Sequence, residues 1–447
     1  MIDSNNPLIQ KSDYKYGAVP FNEIKLKHFL PALEVAIKKA ENTLDSVKNN
    51  PEEPTFENTI LVIEEGTELM ETISNTYFNL MSAESDNKFK ELAQEISPKL
   101  SAFKNKVLLD LKLFNRYKIL YQNRFDNNLN KEQIRLIEEK YTDFTLNGAL
   151  LNEEDKAKVR KMDKDLSKLT PKFSQNNVNA INEFSYHTED ENELSGIPEM
   201  AKEQAQNVAK KNGKKTGWTF TLQTPSYLPV LQFANNRKFR ELMFKARSKG
   251  CFGGNFDNQE IVKKIVSLRY EKAQILGFHD HADYILQKRM AEKTETVMNF
   301  LNRLYDVYYP AANKELKEIK NLAMKDGIDE LQAWDSAYYS EKLKQQKFNF
   351  DEEKLRPYFK SENVISGIFK VAELLYGLQF KETNEFPVYH KEVKVFEVFE
   401  ENGEFLALFY VDLHPRETKN QGAWMTFYRP QGLSNGKMER PLISIVC

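Results

Sequence analysis

Apolar residues recur at helical spacing along most of the chain, and the pattern changes character only near its end. Leu33, Ile37, Ala40, Leu44 and Val47 follow His28-Phe29-Leu30-Pro31 at steps of 4, 3, 4 and 3, the spacing of one face of an amphipathic helix. Residues 1–30 read as an irregular lead-in to it. Pro51 and Pro54 bracket a loop. Thr55 is placed to cap a second helix by accepting from an otherwise unpaired N–H. That helix carries Phe56, Ile60, Ile63, Met70, Ile73, Tyr77 and Met81 along one face. A third stripe, from Phe89 to Val107, contains Pro98, which predicts a kink or a break. Further helices are predicted at 131–145 and 152–185. From 186 to 229 the periodicity loosens into a connector with one alternating, strand-like run at 218–222, and a domain boundary is placed near 235. Helices resume at 236–247, 258–276, 294–325 (with Pro310 inside) and 361–377.

The last sixty residues differ. Runs dense in Val, Phe, Tyr and Leu at 393–399 and 405–411 are joined by Glu400-Glu401-Asn402-Gly403-Glu404. Asn-Gly between two apolar runs predicts a hairpin with a type I′ turn, in which both central residues take φ > 0. Both strands read apolar on both faces, so the hairpin should be sandwiched within other structure. A polar stretch, 412–421, leads to Gly422-Ala423-Trp424-Met425, and the chain stops on another apolar run, 442–447. A bare apolar strand is an unusual finish for a soluble domain. The protein is therefore expected to continue beyond Cys447, and the last strand is expected to leave an open edge.

Composition narrows the class. With 64 basic and 66 acidic residues well mixed, the net charge is −2, so nothing suggests a nucleic-acid or membrane-surface partner. Two cysteines, Cys251 and Cys447, exclude a disulfide framework and suit a reducing compartment. No secretory signal opens the chain, and nothing approaches the roughly 20 apolar residues a membrane helix needs. A cytoplasmic protein is expected, acting as a monomer.

Pro387-Val388-Tyr389-His390, the hairpin, Tyr410-Val411-Asp412-Leu413, Arg416, Lys419 and Gly422-Ala423-Trp424-Met425 resemble the M3 family of zinc metallopeptidases. The likeness leans toward the bacterial peptidyl-dipeptidases, with oligopeptidase A and the thimet oligopeptidases as cousins. It extends back through Leu355-Arg356-Pro357-Tyr358-Phe359, Ala333-Trp334-Asp335, Leu276-Gly277-Phe278, Phe78-Asn79-Leu80 and Pro54-Thr55-Phe56-Glu57 to Phe29-Leu30-Pro31-Ala32. No one of these words is diagnostic; their number and order make the match specific. The resemblance implies a mainly α, zincin-like fold with a small β-sheet near the C-terminal end and a deep channel. Residues 1–235 would form the N-terminal helical domain with its connector, and 236–447 the first part of an incomplete catalytic domain. It implies a peptidyl-dipeptidase acting on short peptides, with an oligopeptidase cutting internal bonds as the nearest alternative. A metal-free helical binding or scaffold protein is the alternative from another class.

Such an enzyme holds one zinc ion with His-Glu-x-x-His and a further Glu, the first Glu serving as general base toward metal-bound water. None of the six histidines begins that motif. No zinc ligand and no general base is therefore assigned within the 447 residues. His279-Asp280-His281 is the one tight metal-type cluster, and a polar helix start with Asp280 or His281 near the cap is the simpler reading. Cys251, in the glycine-rich turn before Gly253-Gly254, has no histidine nearby in sequence to activate it. Asp412, His414, Arg416 and Lys419 could bind a peptide carboxylate, but a network pinning the loop is favoured. The substrate-binding residues expected by resemblance are Gly422, Ala423 and Trp424, on a strand edge that a peptide would extend.

Overall fold

The computed structural model describes residues 5–125, 128–349, 354–434 and 436–447. The first predicted stripe lies on α1 (Leu26–Lys48), where Leu33, Ala36, Ala40, Leu44 and Val47 are buried beside Phe29. Thr55 caps the next helical segment, its hydroxyl accepting from the Asn58 N–H at 3.1 Å while the Asn58 side chain accepts from the Thr55 N–H at 2.9 Å. One wide turn leads into α2 (Val62–Ala83). α3 (Asn87–Leu108) runs through Pro98 as one helix, so of the kink or break expected there the break does not occur. A proline inside a helix costs about 3 kcal/mol. Burying Ile96 and Phe103 on either side returns about 1.5–3 kcal/mol each, enough to keep the helix whole. α4 (Leu111–Gln122), α5 (Lys131–Leu146) and α6 (Glu153–Glu183) follow.

The stretch read as a connector is folded. β1 (Ser185–Thr188) pairs antiparallel with β2 (Trp218–Thr221), and α7 (Glu199–Lys211) and α8 (Thr224–Phe233) flank the second strand. α7 escaped the pattern because its buried face is Ala201, Ala205 and Ala209, too small to register as an apolar stripe. After α9 (Arg237–Ser248) come α10 (Gln259–Ile275), α11 (His281–Leu286), α12 (Thr294–Lys325), α13 (Ser336–Phe348) and α14 (Ser361–Tyr376).

The chain divides into two compact units: residues up to Lys172 with 265–284 and 368–447, and residues 173–264 with 285–367. In the second unit, Phe220, Val230, Phe239 and Met243 centre one apolar cluster, and Leu322, Ala323 and Tyr339 a smaller one. Much of α12 stands uncovered. Met298, Leu301, Tyr305, Tyr308 and Leu316 follow helical spacing, yet each is at least 38 % exposed. Such an apolar patch attracts hydrophobic partners. The protein is expected to bind an anilinonaphthalene dye, and Leu301→Lys with Tyr305→Lys and Tyr308→Lys should cut the fluorescence by about half. Unchanged fluorescence would locate the dye elsewhere.

In the first unit, β3 (Gln379–Thr383), β4 (Lys394–Phe399), β5 (Phe405–Asp412), β6 (Trp424–Arg429) and β9 (Leu442–Val446) form one sheet of order β3-β4-β5-β9-β6. β7 (Gly432–Ser434) and β8 (Lys437–Glu439) pair separately. The β4–β5 hairpin is buried on both faces, as its composition required. Its turn is not type I′. The Glu400 carbonyl accepts from Gly403 N–H at 2.9 Å and Glu400 N–H donates to Glu404 at 2.9 Å. Only Gly403 takes a positive φ, +83°, which gives a turn closed by a left-handed glycine bulge. Asn402 stays out of the left-handed region because its Oδ1 accepts from Glu404 N–H at 2.9 Å. The last strand is also placed differently from the expectation. β9 lies inside the sheet, parallel to β5 and antiparallel to β6, so the sheet's two edges are β3 and β6.

One core joins the first helices to this sheet: Phe29, Ile60, Tyr77, Leu113, Leu408, Tyr410, Tyr428 and Leu442 belong to a single cluster. The lead-in seals it. Phe21 packs edge-on against Tyr389, Tyr410 and Tyr428 with ring centroids 5.4, 5.7 and 5.2 Å away. Lys15 meets the buried Glu397 carboxylate at 3.0 Å.

Candidate functional site

β6 is one of the two terminal strands of the sheet and is hydrogen-bonded on one side to β9, with Trp424 opposite Val446 and Thr426 opposite Ser444. Its residues alternate in exposure. Trp424, Thr426 and Tyr428 lie toward the covered face, whereas Met425 and Phe427 are 67 % and 41 % exposed. Gly422, two residues ahead of the strand, has φ +110° and nothing within 4 Å of where a Cβ would stand. Glycine is needed there for its backbone angle, and the open space lets another backbone approach. Ala423 joins this glycine to the strand. The three residues singled out in the sequence therefore sit together at the start of an open sheet edge. From α2, the Asn79 side-chain amide donates to the Phe427 carbonyl at 2.8 Å and its Oδ1 accepts from the Thr426 hydroxyl.

The loop between β5 and β6 is held by one buried carboxylate. Asp412 receives Arg416 Nη1 at 2.8 Å, Arg416 Nη2 at 2.6 Å, Lys419 Nζ at 2.7 Å and the Tyr389 hydroxyl at 2.8 Å. Arg416 also donates to Glu84 at 2.7 Å and to the Ala83 carbonyl at 2.9 Å, at the end of α2. Lys419 reaches the Cys447 carbonyl at 2.9 Å. Main-chain bonds from Ser85 to Thr418 and from Asn420 to Ser82 complete the seam. Burial alone would raise the Asp412 carboxyl, but the hydrogen bonds from Arg416, Lys419 and Tyr389 outweigh it and hold it below the usual value. Burial pushes the Lys419 ammonium down against the pull of Asp412. Arg416 spends its donors on the protein, so the cluster fastens the loop; His414 is exposed and takes no part.

The other candidates resolve more simply. Asp280 accepts from Asp283 N–H at 2.9 Å, capping α11. His279, Asp280 and Asp283 have ligand atoms within 4.8 Å of one another; His281 is not in that group. The His279 ring is 87 % exposed and lies 3.1 Å from Asp280, which is already engaged as a cap. Cys251 takes φ +59° in a turn, and burial followed by Asp257 pushes its thiol up, away from a reactive thiolate. A cavity of about 1030 Å³ opens between the lead-in, α2 and the far end of β6, lined by Tyr16, Glu68, Tyr428 and Arg429 among others. Gly422, Ala423 and Trp424 do not line it. No periodic signal in the lead-in marked it.

Residues 230–447 match the sequence model of Peptidase family M3. Over 451 aligned residues the chain is 34 % identical to oligopeptidase A of Haemophilus influenzae, with 99 % of this chain and 65 % of that protein covered. It is 31 % identical over 445 residues to the dipeptidyl carboxypeptidase of Escherichia coli, again covering 99 % and 65 %. Saccharolysin of Saccharomyces cerevisiae is 28 % identical over 400 residues, covering 86 % of this chain and 55 % of that protein. The chain thus spans 65 % of the length of these bacterial relatives.

Proposed function

The chain belongs to peptidase family M3, and on that premise we propose that the protein is a zinc-dependent peptidyl-dipeptidase that shortens small peptides from their C-terminus. In this reading the β6 edge, from Gly422 through Ala423 and Trp424, aligns the peptide as an added strand. The observation that carries it is the open edge itself, with free space in front of Gly422. The family match begins at residue 230, which supports starting the peptidase domain at 236. No helix among the described residues is long and apolar enough to cross a membrane.

Zinc does not fit the side chains present. Among the described residues, His279 with Asp280 and Asp283 is the group whose ligand atoms converge, but Asp280 is committed as a helix cap. We therefore assign no step to the metal here; the role proposed for Gly422, Ala423 and Trp424 is to orient the peptide. An oligopeptidase that cuts internal bonds is the second reading, favoured by the 34 % identity to a protein of that name against 31 % to the dipeptidyl carboxypeptidase.

Three measurements test this. The 447 residues should bind short peptides without cleaving them, and Ala423→Pro, which deletes one main-chain donor, should weaken binding about tenfold at most. Equal affinity would exclude the edge. Chelator-sensitive dipeptide release by these residues would return His279 and Asp283 to consideration. Mass analysis of the products of any cleavage separates dipeptide release from internal cleavage. Peptide binding with neither would leave the metal-free binding protein.

A further inference from the structure

A strand edge offers its main-chain groups at every second residue, because the N–H and C=O of one residue point to the same side. The Asn79 amide reaches the Phe427 carbonyl from outside the sheet, so Phe427 faces the open edge. Met425 faces the same way two residues earlier, and Ala423 continues the series toward the open glycine. The Phe427 carbonyl is already taken by a neutral amide donor at 2.8 Å, and that amide is itself fixed by the Thr426 hydroxyl. A peptide laid along β6 thus finds its outward partners at Ala423 and Met425 and meets an occupied acceptor at Phe427.

We infer that Asn79 is a register stop: it ends the stretch of β6 that a bound peptide can pair with, limiting recognition to a few residues beside Gly422. This rests on the edge-strand reading above. Nothing in it requires Asn79 to touch the reacting bond; it positions the peptide by denying it one partner. The ligand class that suits such a stop is a short extended peptide, since a longer one gains no main-chain bond from the far half of the strand. The exposed Met425 and Phe427 side chains would then contact alternate residues of the peptide on the outer face of the sheet.

The test is a calorimetric scan of a six-residue peptide set in which each amide is N-methylated in turn. On the wild-type protein, methylation should weaken binding about threefold to tenfold at the amides that pair with Ala423 and Met425, and nowhere further along. In Asn79→Ala one additional amide, the one facing Phe427, should become sensitive by a similar factor. Asn79→Asp keeps an acceptor for the Thr426 hydroxyl but has no donor for Phe427, and should give the same extra position if the alanine variant does not fold. An identical set of sensitive amides in wild type and variants would overturn the register stop while leaving the edge intact. Insensitivity to methylation at every position in the wild type would take down the edge reading and the stop together.

Discussion

Replacing Asp412 by Ala is expected to destabilise the protein by about 3–5 kcal/mol, the usual cost of leaving a buried charge without its partner. Asp412 is fully buried, and the Lys419 side chain beside it is 1 % exposed. Arg416 would keep Glu84, but Lys419 would be left with carbonyl acceptors alone. The loop before Gly422 would then loosen, so peptide binding at the β6 edge should weaken along with stability. Asp412→Leu combined with Lys419→Met removes both charges and should recover much of the loss, because apolar side chains of similar size replace buried ion pairs at little cost. Denaturant unfolding of the single and double variants decides it; a single-variant loss below about 1 kcal/mol would mean that the pair behaves like a surface contact. Acid gives an independent check. A carboxylate held below its unfolded value of about 3.9 adds stability that is complete above that value and is lost as the pH falls through the folded one. Wild type should therefore lose stability below about pH 4 more steeply than Asp412→Ala.

Much of this frame is legible in the sequence. The stripe on α1 and the Thr55 cap are local patterns, and each lies where its spacing puts it. The hairpin was legible as a hairpin, but its turn was not: the choice hung on whether Asn402 would rather take a left-handed φ or accept from Glu404. α7 was hidden by alanines. The position of 442–446 could not be read at all, because an apolar run says that a strand is buried, not between which neighbours. Asn79 is the sharpest case. Phe78-Asn79-Leu80 stood out by family likeness, yet what its amide does depends on a carbonyl 348 residues away.

The same limit hides the node of the second unit, where substitution should cost as much. Asp335, fully buried at the start of α13, accepts from Arg237 Nη2 at 2.7 Å, from Arg240 Nη2 at 2.9 Å and from the Gln332 N–H at 3.0 Å. The arginines lie on α9, 98 and 95 residues earlier. They are not equivalent. The Arg237 side chain is 38 % exposed and can turn to water, whereas that of Arg240 is 2 % exposed, lies over the Tyr338 ring at 4.2 Å and has an Nε with no acceptor. Asp335→Asn should therefore cost about 3–5 kcal/mol, with the stranded Arg240 as the cause. Arg237→Ala should cost about 1 kcal/mol or less, as exposed pairs do. That ordering is the test: equal losses from the two variants would mean that Arg240 is not the residue left unpaired. Burial works to raise the Asp335 carboxyl, but its bonds from Arg237, Gln332 and Arg240 hold it below its usual value. Its contribution is complete above about pH 4 and fades as acid protonates the folded state. Asp335→Asn should flatten the acid limb of the unfolding curve and leave stability near neutral pH uniformly lower.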